Sequence, residues 1–181
     1  MKVSVYIINH NYGKLLKKSI ESVLNQKFQD FELIIIDDGS TDNSKDIIKE
    51  YSENNKIKII YQEQKGLNIT NNIAINISTG EFIMRLDADD YLDENALGIL
   101  TNSLIANKKA ALVFSDYYIV DDSDEILNFE RRHDFKKSVS LLDQPAHGAC
   151  TLFKKTALIE VGGYWENFDR QDGFDIWLKL I

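Results

Sequence analysis

Short apolar runs alternate with longer stretches of helical period along the first hundred residues. Residues 3–8 are β-branched and aromatic, which predicts a first strand. The polar loop Asn9-His10-Asn11-Tyr12-Gly13 follows. Residues 14–26 set Leu15, Leu16, Ile20, Val23 and Leu24 on one face with lysines outward, the period of an amphipathic helix. Residues 31–36 predict a second strand, and Leu33-Ile34-Ile35-Ile36 is too continuously apolar for an edge. Such a run suits a strand covered on both faces. After the loop Asp37-Asp38-Gly39-Ser40-Thr41-Asp42 a helix is expected over 43–53, capped by Thr41 or Asp42. Residues 56–61 alternate weakly and predict a third strand. Residues 67–77 bring Ile69, Ile73 and Ile77 into helical register, and Thr79-Gly80 ends that helix. Residues 82–86 are a fourth strand and 94–106 a fourth helix, with Asp93 at its start. Strand and helix alternating four times predict an α/β domain with a mostly parallel central sheet flanked by helices.

The second half is less regular and is expected to form a smaller, mixed β region. Residues 110–120 predict a strand with a bend near Asp116, and 126–129 its hairpin partner across the acidic turn 121–124. Residues 131–140 are polar and predict a mobile loop. A strand over 147–153, a short helix over 156–161 broken by Gly162-Gly163, and a last helix over 172–180 complete the chain.

Composition narrows the class. With 181 residues the chain is long enough for one domain with a sizeable core, and 44% apolar residues is ordinary for a globular protein. A net charge of −8 argues against nucleic acid as a partner. An anionic ligand would then need a metal ion or backbone N–H groups to receive it. The single cysteine, Cys150, excludes a disulfide framework and a thiolate metal cluster. Its place in a strand makes it a core residue, and His147 is read as an ordinary buried histidine. The first residues do not form a signal peptide. No apolar stretch approaches the roughly 20 residues of a membrane span, so a cytoplasmic protein is expected, with peripheral contact at the inner membrane face left open.

The candidate chemistry lies in acidic loops. Residues 82–86 end abruptly in Asp87, Asp89 and Asp90. In extended backbone, residues two apart point to the same side, so Asp87 and Asp89 would aim two carboxylates at one point while Ala88 faces away. Two hard oxygen ligands at a strand end suit Mg²⁺ or Mn²⁺ held together with substrate phosphates. The plainer alternative is an Asp-rich helix start, a role that Asp93 fills better. An EF-hand fits poorly, because Tyr91 and Leu92 stand where that loop needs an oxygen ligand and a glycine. Parallel topology puts this loop on one edge with 9–12 and 37–42, beyond the carboxyl ends of the strands, where open α/β sheets bind ligands. There Asp38 could accept hydrogen bonds from a base or ribose, and Tyr12 could stack on a base. The alternatives for 37–40 are an ordinary capped turn or a phosphoacceptor aspartate. No Gly-x-Gly-x-x-Gly or Gly-Lys-Ser/Thr loop is present. Asp172 or Asp175, at a helix start, could serve as a general base or as a plain cap.

In order and spacing, these stretches resemble family 2 of the glycosyltransferases, inverting enzymes with the GT-A fold, over nearly the whole chain. The resemblance is carried by residues 3–16, by Ser19-Ile-Glu-Ser-Val-Leu-Asn-Gln26, and by Phe31-Glu-Leu-Ile-Ile-Ile-Asp-Asp-Gly-Ser-Thr-Asp42. It is carried further by Gly80-Glu-Phe-Ile-Met-Arg-Leu-Asp-Ala-Asp-Asp90, which is similar to the family's Asp-x-Asp signature, and by His147-Gly-Ala-Cys150, Gly162-Gly163-Tyr164, Gln171-Asp172 and Asp175-Ile-Trp-Leu178. It implies a hexosyltransferase that inverts the anomeric carbon, taking a nucleotide-sugar donor, above all a UDP-sugar, and a glycan, lipid-linked or protein acceptor. It also implies that residues 1–106 bind the donor and 107–181 the acceptor, in one GT-A domain, with truncation at the C-terminus left open. Asn9, Tyr12, Asp37, Asp38, Asn68, Asn72, Arg85 and Asp87 would bind the nucleotide. Asp87 and Asp89 would hold Mn²⁺ or Mg²⁺, and Asp172 or Asp175 would deprotonate the acceptor. The family often has Pro at the place of Asn9 and an Arg at that of Asn71, so Arg85 becomes the candidate cation for the donor. Two rival functions remain at this level: a nucleotide-sugar binding module without turnover, and a nucleotidyltransferase on a related fold.

Overall fold

The computed structural model describes residues 2–133, 136, 150–167 and 173–180. Eight strands and six helices are found among them, in the order β1 (Val3–Asn9), α1 (Gly13–Leu24), β2 (Phe31–Asp38), α2 (Ser44–Lys49), β3 (Ile57–Gln62), α3 (Leu67–Ile77), β4 (Phe82–Asp87), α4 (Ala96–Ala106), β5 (Leu112–Phe114), β6 (Tyr117–Val120), β7 (Ile126–Glu130), β8 (Thr151–Lys154), α5 (Lys155–Glu160) and α6 (Phe174–Leu180). The main sheet has the order β3-β2-β1-β4-β8-β5. β1 runs parallel to β2 and β4, and β2 parallel to β3. β8 is antiparallel to both of its neighbours.

The period of two in the strands sorts their side chains between two faces. Val3, Val5 and Ile7 of β1, Leu33 and Ile35 of β2, and Phe82, Met84 and Leu86 of β4 meet α1, α2 and α4 through Leu16, Ile20, Val23, Ile48, Leu97 and Leu100. Tyr6, Ile34, Ile36 and Ile83 face the other way, onto Ala74 and Ile75 of α3, Leu158 of α5 and Ile176 of α6. Cover on both faces is why Leu33-Ile34-Ile35-Ile36 carries no alternation.

Three expectations change. The predicted strand over 110–120 bends at Ser115-Asp116, and its halves separate: β5 joins the main sheet, while β6 pairs only with β7 in a two-stranded hairpin. The helix after β2 stops at Lys49, several residues before the predicted end. The late strand runs Thr151–Lys154; residues 147–149, His147 among them, and most of 131–140 lie outside the described residues. Cys150 packs, half-buried, against the first core. No helix among the described residues is long and apolar enough to cross a membrane.

Candidate active site

The chain steps outward from β1 to β2 to β3, then crosses back to lay β4 on the other side of β1. This reversal opens a crevice at the carboxyl ends, the usual ligand position in an open α/β sheet. Register brings the three polar loops together there: Asn9 lies opposite Asp37, and Ile8 opposite Asp87.

The first two loops are tied into one structure by side-chain hydrogen bonds, some to other side chains and some to backbone N–H groups. Asn9 Nδ2 donates to Asp37 Oδ2 (3.0 Å) and to Ser40 Oγ (2.9 Å). Asp37 Oδ1 accepts from Ser40 N (3.0 Å). Asn11 adopts φ 64, and its Oδ1 accepts from Thr41 N (2.7 Å) and Asp42 N (3.2 Å). Asp42 Oδ2 accepts from Gly13 N (3.0 Å), while Oδ1 accepts from Ser44 N (3.0 Å). Asp42 therefore ties together the starts of α1 and α2, but the residue at the N-cap of α2 is Asn43, whose side chain makes no capping hydrogen bond, so neither Thr41 nor Asp42 stands at the expected cap position. The hydrogen bonds of Asp42, first that with Ser44, hold its carboxyl below the usual range.

Asp38 is only 3% exposed. Its Oδ1 accepts from Gln62 Nε2 (2.6 Å) and Lys65 N (2.9 Å), and its Oδ2 from Gly66 N (2.9 Å). It thereby anchors the turn from β3 into α3. His10 Nδ1 lies 2.9 Å from Asp38 O. Tyr12 stands at the start of α1 with 45% of its surface exposed, so its ring faces solvent beside these loops.

At the end of β4 the extended backbone stops at Asp87. Asp90 N donates to Asp87 O (3.1 Å), so residues 87–90 form a turn. Strand alternation therefore does not carry from Asp87 to Asp89, as the sequence had suggested. Ala88 is buried in the first core, Asp87 is partly exposed, and Asp89 and Asp90 are exposed. Ser19 Oγ of α1 donates to Asp87 O (3.0 Å) and fixes the turn. Arg85, 2% exposed, pairs with Asp87 through Nε and Oδ1 (2.8 Å). Partial desolvation by the protein around its carboxyl, then the charges of Asp87 and Asp89, push Asp90 up to about 6, against the opposing charges of Arg85 and Arg132. Burial also raises the Cys150 thiol to about 12; Asp90 and Asp87 add to this, and Arg132 and Arg85 oppose it.

Among the described residues no three His, Cys, Asp or Glu side chains come together as a complete metal cage. The turn supplies carboxylate oxygens alone, a partial set of hard ligands. Such a set fits Mg²⁺ or Mn²⁺, ions that complete their shell with water and substrate phosphates.

The remaining candidates face the turn before α6. Asn72 Nδ2 donates to Tyr164 O (2.9 Å) and Glu166 Oε1 (3.0 Å), and its Oδ1 accepts from Tyr164 N (2.8 Å). Asn68 Nδ2 donates to Trp165 O (3.0 Å). Both amides thus strap α3 to residues 164–166. Asn71 accepts from Tyr6 Oη (3.0 Å) inside the fold. Asp175 is 1% exposed; its Oδ2 accepts from Trp165 N (2.8 Å) and lies 3.5 Å from Lys179 Nζ. Its Oδ1 is buried with no hydrogen-bond partner among the described residues. Asp172 lies outside the described residues. Sequence reasoning passed over Arg132 and Thr151: no motif marks them, and only the pairing of β8 with β4 and β5 brings them to this edge.

Residues 4–162 match the family model for glycosyl transferase family 2. Over 124 residues the chain is 36% identical to the glycosyltransferase GlyG of Streptococcus pneumoniae, covering 67% of this chain and 41% of GlyG. Its fold superposes on S. aureus TarS 1-349 in complex with UDP-GlcNAc with a TM-score of 0.77 at 22% identity, covering 99% of this chain and 53% of that one. The mannosyltransferase of Pyrobaculum calidifontis, in complex with GDP-Man and Mn²⁺, superposes with a TM-score of 0.75 at 20% identity, covering 98% of this chain and 51% of that one. The chain thus spans about half the length of these proteins or less, and the GT-A fold expected from the sequence is the fold found.

Proposed function

Because the chain belongs to glycosyl transferase family 2, we propose that it transfers a sugar from a nucleotide diphosphate sugar, by preference a UDP-sugar, to a hydroxyl of a glycan, lipid-linked or protein acceptor. The observation that carries this reading is the meeting of three polar loops, two of them acidic, at one sheet edge, beside the reversal of strand order. The solved relatives support it, since one holds UDP-GlcNAc and another GDP-Man with Mn²⁺.

Residues 1–106 bind the donor in this reading. Asp38 takes the base, Tyr12 stacks on it, and Asp37 and Asn9 hold the loop on which the ribose rests. Residues 107–181 receive the acceptor. Asp89, with Asp87, would hold Mn²⁺ or Mg²⁺; when bound, the ion offsets negative charge on the departing diphosphate. The acceptor oxygen attacks the anomeric carbon as the bond from that carbon to the diphosphate breaks, which inverts the configuration. The acceptor's proton passes to a carboxylate. Asp175 is buried against Trp165 and Lys179, so we assign the base to Asp172 and a positioning role to Asp175. Asn68 and Asn72 act through the 164–166 turn that they hold.

Asp89→Ala tests the reading. Its side chain is exposed, so the variant should fold, while metal-dependent donor hydrolysis and sugar transfer should fall by two orders of magnitude or more, as is typical for loss of an electrostatic stabiliser (roughly 10²–10³-fold). Full activity in Asp89→Ala would refute the site. Nucleotide binding without transfer to any acceptor in a broad panel would favour a binding module instead.

A further inference from the structure

We propose that Arg132, from the acceptor half of the chain, binds the diphosphate of the nucleotide donor. This assignment rests on the donor reading above.

Arg132 follows β7 and is returned to the main sheet by several contacts. Its backbone N–H donates to Asp116 Oδ1 (3.0 Å). Its guanidinium lies 5.9 Å from the ring centre of Phe114 and 5.5 Å from that of Tyr117. Nη1 donates to Oγ1 of Thr151 (3.3 Å), a fully buried residue. Thr151 begins β8 and pairs with Phe114, the last residue of β5. The residue before it, Cys150, has φ 54 and donates its N–H to Arg85 O (2.8 Å). Arg85 in turn pairs with Asp87. Arg132 is therefore linked through Thr151 and Cys150 to the strand end that carries the acidic turn. The Cys150 thiol feels the charges of Asp87, Asp90, Arg85 and Arg132 together.

The chemistry calls for a cation here. A departing nucleoside diphosphate carries several negative charges, and this edge is itself acidic. Arg85 is enclosed and spends its charge on Asp87, so it acts through that carboxylate. Positions 71 and 72 are asparagines occupied within the fold. A guanidinium is a planar fork whose paired N–H groups match two phosphate oxygens. Cation–π contact with Phe114 and Tyr117 steadies the guanidinium at this edge. The rival role is purely structural: Arg132 would staple the β6–β7 hairpin to the main sheet.

The two roles separate in a ligand series. Wild type, Arg132→Gln and Arg132→Lys are titrated calorimetrically with UDP, UMP and uridine in the presence of Mn²⁺, and with the guanosine series in parallel. A hydrogen bond to a charged group is worth about a factor of ten or more in affinity, so Arg132→Gln should weaken diphosphate binding by at least about tenfold and leave monophosphate and nucleoside binding within about twofold. Arg132→Lys keeps the charge without the fork and should weaken diphosphate binding by about threefold. A structural staple would lower the melting temperature and leave the ratio of diphosphate to monophosphate affinity unchanged. That unchanged ratio in Arg132→Gln, or in Arg132→Lys if the Gln variant does not fold, overturns the proposal. Absence of nucleotide binding by the wild type would overturn the donor reading itself, and this assignment with it.

Discussion

Both carboxylate oxygens of Asp38 are already engaged by the chain, which makes this residue the hinge between stability and ligand binding. Three donors converge on it from the end of β3 and the start of α3. A carboxylate can accept about four hydrogen bonds, so capacity remains for a base. An amide at this position has one acceptor oxygen and presents N–H groups to N–H groups. Asp38→Asn should therefore cost about 1–3 kcal/mol of folding stability as well as nucleotide affinity, seen as a lower urea midpoint at unchanged slope. Stability equal to wild type would mean that Asp38 does not organise this turn. Asp89 is the contrast: exposed and outside such a network, it can be replaced with a stability change within about 0.5 kcal/mol.

At the scale of elements, the site is a product of loop closure. The loops after β1 and β2 share bonds from Asn9, Asn11 and Asp42, and this leaves little space between backbones. Gly39 has φ +81, and a Cβ there would lie 2.8 Å from Gln64 N, a backbone atom that cannot swing aside. Gly39→Ala should therefore lose more than the roughly 1–2 kcal/mol of left-handed strain alone. Gly98, inside α4, offers the opposite case. A Cβ there meets only Phe28 Cβ at 3.7 Å, an ordinary contact, so Gly98→Ala should gain about 0.5–1 kcal/mol from helix propensity. Paired thermal unfolding of the two variants checks both signs.

The same scale shows what the chain makes legible. β1 to β4 and their helices follow from local periodicity, because β1, β2 and β4 are almost wholly buried, the edge strand β3 alternates weakly, and the helices turn apolar residues to the sheet. Asp37, Asp38 and Asp87 could be placed on one edge because parallel strands send all their carboxyl ends the same way. The split of residues 110–120 between two sheets was not legible, since Phe114 and Tyr117 differ only in which distant strand they meet. Nor was the turn after Asp87: Ala88 suits either geometry, and the Asp90-to-Asp87 hydrogen bond decides it. The duties of Asn68, Asn72 and Asp175 depend on residues about 10 to 97 positions away, which no local pattern encodes.

Over the whole molecule, the two covered faces of the sheet make a rigid platform, and the reversal between β1 and β4 decides where a ligand can enter. The acidic balance of the chain, −8 overall, makes a divalent cation the natural bridge between this edge and an anionic donor. The central claim is that nucleotide and metal bind there jointly. A ligand that binds only the folded form raises the melting point, by an amount that follows its affinity. Melting curves with UDP or GDP, with and without Mn²⁺, on wild type and Asp89→Ala measure the claim most directly. The account predicts that nucleotide and Mn²⁺ together raise the wild-type melting temperature by more than the sum of their separate effects, and that Asp89→Ala loses this excess. An excess that persists unchanged in Asp89→Ala, or no nucleotide effect on the wild type at all, would contradict it.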